Sequence, residues 1–114
     1  MSEQTWNAKV QARWQAAGGY IIKTIASNRA GVHDMLGCMP NAKGIGRFCS
    51  LEGKLDYNDL SALQVAHRND VIKSGGLSMG IKTMDDVDLI IHRAKTDYIQ
   101  DFTKEKKQLK QYTL

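Results

Sequence analysis

Two Gly-Gly pairs, Gly18-Gly19 and Gly75-Gly76, do most to limit what this 114-residue chain can become. Each follows a stretch whose apolar residues recur at helical spacing, and each precedes a short run suited to a strand. In the first unit Trp6, Val10, Trp14 and Ala17 mark a helix from Glu3 to Ala17, which Gly18-Gly19 stops as a glycine C-cap does. Tyr20-Ile21-Ile22 then predicts a strand running into Lys23 and Thr24. In the second unit Ser61-Ala62-Leu63-Gln64 has the form of a capping box, Ser at the N-cap and Gln at the third helical position. The helix it opens carries Val65, Arg68, Val71 and Ile72 up to Gly75-Gly76, and Leu77 to Lys82 predicts another strand.

Residues 25–30 read as a polar loop, and Val32 to Cys38 as a short strand that contains Asp34. Pro40-Asn41-Ala42-Lys43-Gly44 holds the only proline and a flexible glycine, the clearest turn in the chain. A third strand runs from about Gly46 to Lys54, and Asp56 to Asp59 forms a loop. Thr83 caps a last helix whose first turn is acidic, Asp85 and Asp86, as the helix dipole favours, with Val87, Ile90, Ile91 and Ala94 as its apolar stripe. The predicted order is α-β-β-β-α-β-α: an α/β fold with a small mixed sheet of about four strands flanked by helices. Residues 1–94 form the domain, and residues 95–114, with the run Lys104 to Lys110, a basic helical extension.

A chain this long buries roughly two-thirds of its unfolded surface, enough for one modest core. The net charge of +4 suits a polyanionic partner without proving one. The Met1-Ser2-Glu3-Gln4 start lacks a basic, then apolar, leader, and no apolar run approaches the ~20 residues of a membrane span. A cytoplasmic location is therefore expected, with Cys38 and Cys49 reduced and packed as small hydrophobes. Two isolated cysteines without a CxxC or a nearby His pair argue against zinc.

The chemistry concentrates in Asp34 and in Glu52-Gly53-Lys54. Side chains alternate along a strand, so Glu52 and Lys54 share a face while Gly53 points the other way. A hairpin through the 40–44 turn would bring Asp34 beside Glu52. Two carboxylates can hold a hard cation such as Mg²⁺, which polarises a phosphoryl oxygen and helps generate a hydroxide nucleophile. The Lys54 ammonium can orient the attacking water or offset charge on the phosphate. The bland reading is a surface ion pair, but an Asp facing a Glu repels without a cation. Gln64 has two roles open to it, capping its helix and reaching the site. Lys23, Arg29, Arg47 and Lys43 are candidates for gripping a phosphate backbone. His33 stands beside Asp34; His67 and His92 read as helix-surface or boundary positions.

Taken in order, several segments resemble the PD-(D/E)xK nuclease superfamily, and within it the small phage-type VRR-NUC proteins. Gly18 to Lys23 looks like that family's helix stop and first strand, and Arg29 to Cys38, RAGVHDMLGC, is similar to its RxGxPDL segment. Gly46 to Lys54, GRFCSLEGK, looks like the strand bearing ExK, and Leu60 to Gln64 with Gly75-Gly76 resembles the LSxxQ…GG helix behind it. The resemblance covers residues 3 to about 92. His33 stands where the family has Pro, Gly53 where it has Val or Ala, and the Asp34-to-Glu52 interval is a few residues longer.

The resemblance implies a restriction-endonuclease-like fold and a Mg²⁺-dependent DNA endonuclease, with Mn²⁺ able to substitute. Asp34, Glu52, the Gly53 carbonyl and Glu3 would ligate the metal, and Lys54 and Gln64 would assist catalysis. It further implies branched DNA, such as four-way junctions, as substrate, a homodimeric assembly, and a bacterial or phage-infected host cell. A DNA-binding protein that keeps the fold without cleaving is the alternative, and a phage protein-interaction module a third.

Overall fold

A computed structural model of the chain describes residues 3–54 and 60–100, with the side chains of Glu3 and Gln4 outside that description. The expected loop at 56–59 and the run from Lys104 to Lys110 also lie outside the described residues. The element order is α1 (Glu3–Ala16), β1 (Tyr20–Lys23), β2 (Met35–Pro40), β3 (Gly46–Gly53), α2 (Ala62–Lys73), β4 (Leu77–Ile81) and α3 (Met84–Lys95). It reproduces the predicted α-β-β-β-α-β-α order. The four strands lie side by side in chain order. β1–β2 and β2–β3 are antiparallel, whereas β3–β4 is parallel, with α2 as the crossover that a parallel pair requires.

The second strand departs from expectation. It begins at Met35, not Val32, and continues to Pro40. Upstream, His33 is fully buried and its Nε2 meets the α2 carbonyl of Gln64 at 3.0 Å, which draws the backbone off the sheet before Asp34. Asp34 therefore sits at the bend where β2 begins, its carbonyl accepting the Thr24 amide. At the other end Pro40 ends the ladder opposite Gly46, where its missing N–H costs nothing. The turn is made one residue later than predicted: the Asn41 side-chain oxygen accepts from the amides of Lys43 and Ile45, both at 2.9 Å.

One face of the sheet, covered by α1 and α3, is apolar. Val10, Trp14, Met35, Met39, Cys49, Leu51, Leu77, Met79, Ile81, Val87, Ile90 and Ala94 form its core, and Trp6 and Ala17 pack against it. Trp14 lies flat enough on β2 that a Cβ at Gly37 would come within 3.1 Å of its indole nitrogen, so the glycine permits the close approach. That indole N–H is satisfied by the Tyr20 and Cys38 carbonyls at 3.0 and 3.3 Å. The α1 N-terminal turn reaches the end of β3: a Cβ at Gly53 would stand 3.1 Å from the Trp6 indole nitrogen.

The last two helices are capped at the residues read from sequence, Ser61 and Thr83. Ser61 and Gln64 form a reciprocal capping box on α2, and Thr83 and Asp86 form another on α3. Beyond α3 the described chain turns at Thr96-Asp97 and brings the Gln100 amide onto Ser78. No helix among the described residues is long and apolar enough to cross a membrane.

Candidate active site

The hairpin register decides the site. Met35 pairs with Leu51 and Lys23 with Met35. One step further, Thr24, Asp34 and Glu52 fall in one row across β1, β2 and β3, and the β3–β4 pairing adds Gly80 opposite Glu52. Alternation puts this row on the face opposite the apolar core, with Ser50 and Lys54 one position to either side along β3. Asp34 and Glu52 thus fall side by side on neighbouring strands, as the sequence spacing proposed, close enough for Asp34 to raise the Glu52 carboxyl.

Glu52 is 2% exposed and receives a 2.6 Å hydrogen bond on Oε1 from the Gln64 side-chain amide. Burial, and then the hydrogen bond and charge of Asp34, push its carboxyl up to about 8, against the opposing pull of Lys54. The two roles open to Gln64 are both filled. Its Oε1 accepts from the Ser61 amide at 2.9 Å while its Nε2 holds Glu52. Capping fixes the first turn of α2, and the fixed turn aims the amide.

Beneath this row lies a polar layer between α2 and the sheet. Since a carbonyl only accepts, the His33 Nε2 carries the proton donated to Gln64 O, and its unprotonated Nδ1 faces the Ser78 hydroxyl at 3.4 Å. Burial, with the neighbouring charges of His67 and Arg68, lowers the His33 pKa to about 4 against the raising effect of that carbonyl. His67, expected on a helix surface, is instead buried, with Nε2 2.8 Å from the Ser50 hydroxyl and its ring centroid 4.6 Å from that of His33. It occupies the α2 position that overhangs β3, and its pKa too is lowered, chiefly by burial. His92 is exposed, as expected. Both cysteines are free thiols; Cys49 is buried and its thiol pushed up to about 12 by burial.

The remaining candidates are dispersed. Lys23 is exposed at the end of β1, one residue before the row. Arg29 is exposed and ion-paired with Asp70 on α2 at 2.7 Å. Arg47 donates to the Gly75 carbonyl at 3.0 Å from the opposite end of β3, and Lys43 lies in the 41–45 turn at that same far end. Neither is brought to the acidic row. Of Glu3 only the backbone, at the start of α1, is described. Sequence reasoning passed over Thr24, Ser50, Ser78 and His67. Carrying the alternation of β3 two residues back from Glu52 finds Ser50, and extending the hairpin pairing to β1 finds Thr24.

What the arrangement can do follows from its charges. Two oxygen-donor side chains in contact, one of them forced to keep its proton near neutrality, form a place short of positive charge, which hard divalent cations fill. Lys54 emerges on the same face just past the strand.

No protein-family model matches the chain, and no curated protein matches it. A solved structure described as "VRR_NUC domain" is similar in fold, with a TM-score of 0.63 and 24% identity over 79% of this chain and 94% of that one. The four-stranded sheet with its three helices therefore shares the fold of that structure, the restriction-endonuclease-like arrangement expected from the sequence.

Proposed function

We propose that this protein is a Mg²⁺-dependent DNA endonuclease that hydrolyses phosphodiester bonds. The juxtaposition of Asp34 and Glu52 carries the reading: a buried carboxyl raised to about 8 by burial and a second carboxyl has the environment of a cation ligand. Asp34 and Glu52 would hold the ion, with the Gly53 carbonyl and Glu3 as further ligands; the all-oxygen donor set suits Mg²⁺, or Mn²⁺ in its place. When bound, the ion supplies Lewis-acid polarisation of a phosphoryl oxygen and neutralises charge in the transition state.

The chain's own residues supply the rest. Gln64 fixes the Glu52 oxygen that it donates to, so the carboxyl enters the site in one orientation. Lys54, on the Glu52 side of β3, orients the attacking water or stabilises charge growing on the phosphate. His33, held neutral in the layer beneath, keeps the α2 turn and the Asp34 bend in register. A single small domain offers little surface for base readout, which favours recognition of backbone and shape. We therefore assign branched DNA, such as four-way junctions, as substrate, and a homodimer in the cytoplasm of a bacterial or phage-infected cell as the working form, since two-fold pairing gives one site per strand.

The test is cleavage of a four-way junction, a flap and a plain duplex with Mg²⁺, Mn²⁺ or EDTA, using wild type, Asp34→Ala and Lys54→Ala. Metal-dependent cleavage by wild type alone, strongest on the junction, is expected. A folded wild type that binds these DNAs yet cuts none of them with any metal leaves a DNA-binding protein on a nuclease fold.

A further inference from the structure

Along one flank of α1, beside the end of β1, runs a groove of about 380 Å³ lined by Asn7, Ala8, Gln11, Ala12, Gln15 and Lys23. Its lining follows from helical spacing. Asn7, Gln11 and Gln15 stack one turn apart as a stripe of amides, and Ala8 and Ala12 form a parallel small-residue stripe. Asn7 is unusual within it. It is only 3% exposed, yet among the described residues neither its amide oxygen nor its amide nitrogen has a hydrogen-bond partner.

Asparagine is a poor helix former, and a buried amide without partners destabilises a fold. Leucine or alanine would serve the helix better. A residue that breaks both the local and the burial rule marks a place kept for something other than stability. The hydroxyl of Thr24, which adjoins Lys23 and pairs with Asp34 across the sheet, is likewise buried without a partner among the described residues. Among the described residues the side chains of Gln11, Gln15 and Lys23 have no hydrogen-bond or ion-pair partner either.

We infer that this groove is a subsite for one unpaired nucleotide of the substrate strand. The two alanines leave a shallow apolar floor for the flat of a base, the amide stripe offers the paired donors and acceptors that read base edges, and Lys23 meets the adjoining phosphate. The groove is placed for this. Lys23 lies on the α1 face of the sheet, one residue from Thr24 in the row on the opposite face, so a strand that reaches both passes round the β1 margin of the sheet. The subsite rests on reading that row as the nuclease site, and it adds a requirement for a base that can leave its stack.

The experiment measures binding in EDTA to a duplex with a single-nucleotide bulge, to the same duplex with an abasic bulge, and to the unbulged duplex. Wild type is expected to prefer the base-bearing bulge by about tenfold, the worth of a modest base-edge contact. Asn7→Leu is expected to erase that preference while melting no lower than wild type, since it removes an unpartnered buried amide. Lys23→Ala is expected to weaken all three DNAs. Gln11→Ala/Gln15→Ala, on the more open part of the stripe, reads the same ratio should Asn7→Leu fail to fold. A wild-type ratio near one, or a ratio unchanged in these amide variants, overturns the subsite. Cleavage with Mg²⁺ on the same bulged DNA separates the two readings. Cutting without base preference leaves the nuclease and removes the subsite; base preference without cutting does the reverse.

Discussion

Alternate residues of β3 belong to two different kinds of protein. Cys49 and Leu51 point into an apolar core under α1 and α3, whereas Ser50 and Glu52 point into a polar layer under α2. The core side needs only volume and shape, and many hydrophobic combinations fill such a space. On the α2 side each buried group requires a particular partner: Glu52 the Gln64 amide, His67 the Ser50 hydroxyl, His33 the Gln64 carbonyl. Stability is thus concentrated on one face and chemistry on the other, with a single strand serving both.

Substitutions on the two faces should separate these roles. Asp34→Ala, Glu52→Ala or Lys54→Ala should lower single-turnover cleavage by on the order of 10³-fold, about 4 kcal/mol in the barrier. Their circular dichroism spectra should remain those of wild type. Leu51→Ala, one residue from Glu52 but on the other face, should instead cost roughly 2–5 kcal/mol of stability in urea unfolding. Cleavage per folded Leu51→Ala molecule should be little changed. Equal loss of activity from both faces would show that the division is false.

The polar face should also give the protein an unusual pH profile. A Glu52 carboxyl at about 8 in the folded chain, against 4.5 ordinarily, holds its proton more tightly when folded. Its contribution is complete below about 4.5 and is lost as pH rises through about 8. His33 runs the other way. With its pKa lowered from 6.5 to about 4, its contribution is present above 6.5 and lost as pH falls through that window. Below 6.5 the Glu52 slope is opposed by His33 and, in the same direction, by His67, whereas above 6.5 it acts alone, so metal-free thermal melts should fall from 6.5 to 8. Glu52→Gln should abolish that fall, and Mg²⁺ should reduce it. A melting temperature that rises between pH 6.5 and 8 without metal would contradict this picture of the site.

Smaller effects test the supports. Ser50→Ala leaves the His67 ring without its partner and should cost roughly 1–3 kcal/mol. Ser61→Ala should cost about 1 kcal/mol as a lost cap. It should also loosen the Gln64 amide and raise the Mg²⁺ concentration needed for half-maximal cleavage. Thr83→Ala, the equivalent cap on α3, should cost a similar amount and leave that concentration unchanged.

The contrast between the faces also explains what the sequence discloses. Periodicity and punctuation are local, so the element order, the α2 capping box, the Thr83 cap and the apolar stripe of α3 are legible from residues alone. Asp34 and Glu52 are legible because strand alternation and one hairpin turn suffice to join them. The polar layer is not, because His33, His67 and Ser78 come from three separate elements and meet only after the α2 crossover has packed. Nothing in the neighbourhood of His67 distinguishes it from an exposed helical histidine. The start of β2 was misjudged for the same reason: it is set by His33 reaching for a carbonyl 31 residues away, a tertiary bond with no local mark.

Gln100 receives the Ser78 amide on its Oε1 at 2.9 Å and gives its Nε2–H to the Ser78 carbonyl at 3.0 Å, the pair of bonds a neighbouring strand would make. One side chain thereby plays the part of a fifth strand at that point of β4. Open edges are where sheets recruit other chains, so this amide works as a stopper. At that point the margin of the sheet is closed at β4, whereas β1 forms the opposite margin.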